Sequence, residues 1–224
     1  KEYWTEAVKK DGKTGSELAL SFLMSDEFLS KKMSDSELLD VLYETCFGRE
    51  ADDEGKNYWL GEMKSGAKTK EDVIMGFINS TEWADICLTY GILSGTDVEP
   101  SITVEPNDDV LGFAERLYTT CLNRDSEAEG LEFWSTEIAN LKRSGSEAAK
   151  GFFFSEELQK SGISDVEFLT RLYKTVMGRE PETEGFNYWL GQMKSGAMSR
   201  ESVFDGFAAS EEWIGICADY GILR

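Results

Sequence analysis

A chain of 224 residues, 41% of them hydrophobic, is long enough for one large core or two small ones. The 23 basic and 43 acidic residues leave a net charge of −20, a surface that repels nucleic acid and anionic bilayers. Histidine is absent, which removes Ser-His-Asp and Cys-His hydrolysis together with histidine-ligated zinc.

Taken in chain order, the first elements carry Trp4 and Phe22, followed by Ser25 and Glu27. Ser34-Asp35-Ser36-Glu37 fits a capping box and starts a helix with Leu38, Leu39, Leu42 and Tyr43 at helical spacing. Gly48 marks its stop. After a short acidic loop, a second helix holds Tyr58, Trp59 and Met63 and ends at Ser65-Gly66. Thr69 caps a third helix with Val73 and Phe77; Ser80 caps a short fourth, with Glu82 in its first turn, where an acid suits the dipole. Residues 94–108, with Pro100, Pro106, Gly95 and several acids, read as a linker. The second half passes through Tyr118, Trp134 and Phe152 to a second capping box, Ser164-Asp165-Val166-Glu167. It then repeats the stop at Gly178, the helix with Tyr188, Trp189 and Met193, and the caps Ser199 and Ser210. No apolar run approaches the ~20 residues that cross a bilayer, so no membrane insertion is expected. With Lys1 at the start and no leader, the chain reads as a processed or excised piece of a longer one.

Self-similarity is the strongest signal. Residues 1–93 align without a gap on residues 131–223, an offset of 130, with about half the positions identical. A weaker repeat lies inside each half, anchored on Trp4, Trp59, Trp134 and Trp189. Each tryptophan is followed at fixed spacing by Phe22, Phe77, Phe152 or Phe207, then by a serine and by Glu27, Glu82, Glu157 or Glu212. Three copies also share an upstream Leu-Tyr, an arginine (Arg49, Arg124, Arg179) and a glycine (Gly55, Gly130, Gly185). The expected fold is all-α: tandem repeats of about four short helices, forming two related domains, 1–93 and 109–224, joined by the acidic linker. The first domain holds an N-terminally truncated copy and a full one. It lacks a counterpart of residues 109–130, so its core is expected to be open on one side, covered by an upstream segment or by a homodimer partner.

The string from Leu172-Tyr173 through Gly178-Arg179-Glu180-Pro181, Gly185-Phe186-Asn187-Tyr188-Trp189 and Ser210-Glu211-Glu212-Trp213 resembles the bacterial domain-of-unknown-function family 4214. Residues 42–83 and 117–158 look like it too, and 1–28 like a truncated copy. More distantly, Asn123-Arg124-Asp125 through Gly130-Leu131-Glu132-Phe133-Trp134 is similar to phycobilisome linker domains. The resemblance implies helical modules of secreted or cell-surface bacterial proteins and carries over no catalytic residue. Copy three departs from the pattern: Asn123 stands where the others have glycine, and Ala139-Asn140-Leu141 replaces the usual helix end.

Each recurring residue has a functional and a structural reading. The arginines are an anion site, or they form a buried salt bridge to the repeated glutamate or stack on the repeated tryptophan. Structure is the expected role, with Arg179 paired to Glu212. The acidic loops offer calcium candidates in Asp52, Asp53, Glu54, Asp125, Glu127, Glu182 and Glu184; the plainer reading is that these acids cap the following helices. The repeated tryptophans and phenylalanines are a sugar platform or, as expected here, core. Phe153, Phe154 and Ile214, which differ between copies, are the better binding candidates. Cys46, Cys87, Cys121 and Cys217 pair as Cys46–Cys87 and Cys121–Cys217, or remain free buried thiols. No catalytic centre and no cofactor are expected. The sequence therefore reads as a non-catalytic interaction or spacer module with an unidentified protein or cell-surface partner. The alternatives are a calcium- or carbohydrate-binding accessory domain of a secreted enzyme and an assembly scaffold.

Overall fold

Short polar side chains start nearly every helix. In the computed structural model, which describes residues 12–224, Thr14, Ser25, Ser34, Asp52, Thr69 and Ser80 each accept a hydrogen bond from a backbone N–H three residues on. The helices they begin are α1 (Gly15–Leu23), α2 (Asp26–Leu29), α3 (Asp35–Leu42), α4 (Asp53–Ser65), α5 (Lys70–Ile78) and α6 (Thr81–Thr89). The second half adds α7 (Asp108–Arg116), α8 (Ala128–Ala139), α9 (Gly145–Phe153), α10 (Glu156–Lys160), α11 (Asp165–Val176), α12 (Thr183–Lys194), α13 (Arg200–Ala208) and α14 (Glu211–Tyr220). Both expected capping boxes form, and Thr14–Glu17, Thr69–Asp72 and Ser144–Glu147 make three more. The fold is all-α, with no strand among the described residues. Trp4 lies outside them.

The described residues form two compact units, one running to Thr103 and the other from Val104. Each buries its own apolar cluster. In the first, Leu38, Leu39, Leu42, Tyr43, Val73, Ile74 and Phe77 meet. In the second, Val110, Phe113, Leu117, Phe152, Phe168, Leu172, Phe207 and Trp213 do. Each unit also ties its end to its third-position helix. Gly15 N–H donates to Leu93 O at 2.8 Å, and Gly145 N–H donates to Leu223 O at 2.8 Å.

Residues 94–108 make specific contacts. Ser94 O accepts from Ser16 N–H, and the Ser101 N–H and hydroxyl both donate to Asp85. Val104 belongs to the second unit. The buried Asn140 side chain accepts from Val104 N–H at 2.7 Å and donates to Val104 O at 2.9 Å. The altered helix end of copy three serves this clamp. Asn140→Ala strands both peptide groups of Val104 and is expected to cost about 1–3 kcal/mol; urea unfolding, with faster exchange of the Val104 amide, measures it.

Two features of the helix ends were not legible beforehand. After α3 and α7 the chain widens into π turns, Tyr43–Phe47 and Leu117–Leu122, whereas α11 stays α-helical to Val176. Copy three also places Leu141 in the left-handed region at φ 56°, where the equivalent residues are Gly66 and Gly196. That conformation costs a leucine roughly 1–2 kcal/mol; burial of its side chain opposes the cost.

Candidate functional site

In three copies the recurring residues converge on one cluster. Tyr43, Tyr118 and Tyr173 leave the first helix and set their rings edge-on to Phe77, Phe152 and Phe207, with centroids 4.9, 4.9 and 4.7 Å apart. The tryptophan of the second helix closes the other side of the phenylalanine: Trp59–Phe77 at 5.8 Å, Trp134–Phe152 at 5.3 Å and Trp189–Phe207 at 5.6 Å. Such edge and tilted contacts are favourable beyond area burial. The repeated glycine follows from the tyrosine. A Cβ at Gly55, Gly130 or Gly185 would lie 2.2, 2.4 or 2.7 Å from the hydroxyl of Tyr43, Tyr118 or Tyr173.

Over each tyrosine lies the arginine. Arg49 grips Glu82 with two bonds, Nε to Oε1 at 2.7 Å and Nη2 to Oε2 at 3.0 Å. Its Nη1 donates to Glu50 O at 3.2 Å and to Asp52 Oδ2 at 3.1 Å. Arg124 repeats this on Glu157, Asp125 O and Glu127. Arg179 repeats it on Glu212, Glu180 O and Glu182, with Nε 2.6 Å from Glu212 Oε1. The guanidinium carbons sit 4.8, 5.0 and 5.2 Å from the Tyr43, Tyr118 and Tyr173 ring centroids.

Two expectations are corrected here. The arginine pairs are half-exposed, with Arg49 and Glu82 at 41% and 40%, and are not buried. They stack on tyrosine instead of tryptophan, because the tyrosine stands between the arginine loop and the core.

The acids proposed for calcium are occupied or placed at helix starts. Asp52 accepts from Gly55 N–H and pairs with Arg49; Glu127 and Glu182 pair with Arg124 and Arg179. Asp53, Glu54 and Glu184 lie in first turns. Asp125 supplies its carbonyl to Arg124. Among the described residues no group of three or more acidic or cysteine side chains is placed to hold a metal ion.

The Gly55 amide and Arg49 hold the Asp52 carboxyl below the usual range, and Arg124 and Arg179 do the same for Glu127 and Glu182. Carboxyls depressed on folding contribute stability that is complete above their unfolded values and is lost as pH falls through the folded ones. The melting temperature is therefore expected to hold down to about pH 5 and to drop below about pH 4. A thermal-melt series across pH checks this; a rise on acidification below that point would mean that relief of the −20 charge dominates.

Further corrections concern burial. Trp59, Trp134 and Trp189 are half-buried at the rim of the core, not inside it. Phe22 is 46% exposed while its equivalents Phe77, Phe152 and Phe207 are buried. Phe153 is core, against Phe168 and Phe204 at 5.5 and 5.9 Å, and is not a binding surface; Phe154 packs on the same two rings and is half-buried. Ile214 is half-buried. All four cysteines are free and buried, the second of the two states the sequence left open. Burial raises Cys46 to about 11 and Cys87, Cys121 and Cys217 to about 12, keeping them as inert thiols at neutral pH.

Sequence reasoning missed two groups. Tyr58, Phe133 and Tyr188 share one repeat position and are exposed, each edge-on to its neighbouring tryptophan at 5.1, 5.4 and 5.2 Å. Their signal was an aromatic immediately before the anchor tryptophan in all four copies, Tyr3 included. Arg116 and Arg171, also equivalent, exchange contacts across the second unit: Arg116 Nε donates to Thr175 O at 3.1 Å and Arg171 Nη1 to Cys121 O at 2.7 Å. Each cation thus satisfies a carbonyl near the end of the other's helix.

A fold of short capped helices in tandem, three copies locked by the same Tyr-Phe-Trp cluster and arginine clamp, defines an all-α repeat protein. The model of the family described as Domain of unknown function (DUF4214) matches residues 19–87, 107–161 and 149–217, and the chain belongs to that family. Neither the curated proteins nor the solved structures contain a match. No helix among the described residues is long and apolar enough to cross a membrane.

Proposed function

We propose that this chain is a non-catalytic interaction and spacer module of a secreted or cell-surface bacterial protein, the setting that the family resemblance implies. One observation carries the reading. The residues that recur in register, and so look most like a site, are engaged with one another: arginine with glutamate, tyrosine with phenylalanine, tryptophan with phenylalanine. A side chain held in such a contact serves the scaffold. The recurring exposed aromatics, Tyr58, Phe133 and Tyr188, are the side chains left to meet a partner, and exposed aromatics are enriched where proteins bind.

The test uses the parent protein that carries this chain, fused to a reporter in its native host, with cell fractionation. The wild type is expected outside the cell and retained on its surface. Tyr58→Ser/Phe133→Ser/Tyr188→Ser is expected to be exported with an unchanged melting temperature but lost from the surface fraction. Equal retention of the triple variant, or a reporter confined to the cytoplasm, would overturn the reading. A shift in melting temperature between chelator and added calcium would favour a calcium-binding accessory role instead.

A further inference from the structure

Where the tryptophan helix of a copy ends, the chain turns in the same frame. The carbonyl of Glu62, on α4, accepts from Ala67 N–H at 3.0 Å and from Lys68 N–H at 3.2 Å. That of Glu137, on α8, accepts from Lys142 N–H at 3.0 Å and from Arg143 N–H at 3.3 Å. On α12 the Gln192 carbonyl accepts from Met198 N–H at 3.2 Å. Lys68, Arg143 and Met198 thus hold one repeat position, and Glu62, Glu137 and Gln192 hold another.

What fills that frame differs. In copy three the loop returns a cation to its own helix. The Arg143 guanidinium carbon lies 5.7 Å from the Trp134 ring centroid, Arg143 Nε is 3.6 Å from Glu137 Oε2, and Lys142 Nζ is 3.9 Å from Glu137 Oε1. A guanidinium set against an indole ring and a carboxylate is a favoured pairing. In the last copy the acid is replaced by the neutral Gln192, and Met198 packs against the core. The copy of Trp59 keeps the acid and leaves it unanswered. Lys68 is exposed and bears on Asp72. Among the described residues Lys68, Glu62 and Glu54 form no ion pair within 4.0 Å, and Lys68 lies over no ring. Tyr58, 57% exposed, stands beside Trp59 with ring centroids 5.1 Å apart. Glu54 lies one turn before it on α4, and a Cβ at Gly61, one turn after it, would meet nothing within 4 Å.

We propose that Tyr58, Trp59, Glu62 and Glu54 form a seat for an arginine side chain of a protein partner, the place that Arg143 fills from within the chain in copy three. The net charge of −20 draws a basic partner at long range. The seat then selects arginine over lysine. A planar guanidinium stacks on a ring and offers a carboxylate two N–H groups, whereas an ammonium is a compact, strongly hydrated charge. The equivalent place beside Trp189 has Gln192 instead of glutamate and attracts a cation less. This inference rests on the reading of the exposed aromatics as a partner surface, and it adds the chemistry that the partner presents.

A fluorescein-labelled glycine–serine peptide carrying arginines, titrated into the full chain at physiological ionic strength, tests the proposal. Anisotropy reads binding, and the indole N–H resonances of the nitrogen-15-labelled chain read its place. Saturable binding is expected, shifting the Trp59 indole and leaving that of the buried Trp213 in position. The same peptide with lysines is expected to bind about threefold or more weakly. Glu62→Gln, a change that the last copy already carries at Gln192, is expected to weaken the arginine peptide with the melting temperature unchanged. Lys142→Ala/Arg143→Ala empties the internal seat and is expected to add a second site, seen as a new shift of the Trp134 indole. An unmoved Trp59 indole would overturn the proposal. Equal binding of the arginine and lysine peptides would also overturn it, because net charge alone would then explain the attraction. A Trp59 shift with cellotetraose and none with the peptide would assign the seat to neutral sugar and sink the arginine. Failure of the peptide, together with loss of Tyr58→Ser/Phe133→Ser/Tyr188→Ser from the surface fraction, would remove this inference and leave the partner-surface reading standing.

Discussion

Trp213→Ala is expected to lower the stability of the second unit by about 3–5 kcal/mol, the range for removing a fully buried large aromatic. The side chain has no solvent exposure. It meets Phe113 of α7 at 5.4 Å, donates its indole N–H to Ser146 at 2.8 Å, and lies where a Cβ on Gly145 would approach its ring to 2.8 Å. Alanine leaves a cavity between α7, α9 and α14 that capped helices cannot collapse to fill, because their ends are pinned by side-chain bonds. Equilibrium unfolding should show one transition moving and the first unit's transition staying in place, with the melting temperature of the second falling by roughly 10–20 °C. Trp83→Ala, at the half-buried equivalent, should cost clearly less. Equal losses at the two positions would mean that Trp83 is covered in the free chain.

Phe207→Ala carries the second large effect, again about 3–5 kcal/mol. Phe207 is 3% exposed and is the middle ring of its cluster, 4.7 Å from Tyr173 and 5.6 Å from Trp189. Its removal strips both neighbours of their ring contact as well as opening a cavity. The Trp189→Ala change should cost less, about 2 kcal/mol, since that ring is already half in water. Urea denaturation of the two variants ranks them, and the reverse order would place the centre of the cluster on the tryptophan. A double-mutant cycle with Tyr173→Leu adds a further check, because rings in contact couple by roughly 0.5–1.5 kcal/mol and separated ones do not.

Two kinds of information were legible before any coordinates. Helix starts were, because a cap is local: Ser34 with Glu37 and Ser164 with Glu167 satisfy each other across one turn, and nothing distant alters that choice. Repetition was also legible, and with it the pairing of Arg179 and Glu212, whose equivalents recur at a constant separation. The depth of each residue was not. Register says that Trp59, Trp134 and Trp189 solve one packing problem; it does not say that the solution leaves half of each ring in solvent. Nor does it say that Phe153 and Phe154, which differ from their counterparts, fill the second unit's core.

The amino-acid order alone determined the all-α class, the caps, the tandem copies and their shared contact residues, since these rest on interactions within a turn or repeated at a fixed distance. Only the tertiary structure decided how deeply each equivalent side chain is buried. Trp213 and Trp83 are the same residue in the same local frame, yet one is sealed by α7 and the other is half-open. Burial depends on what the rest of the chain brings to a face, and no local pattern carries that information.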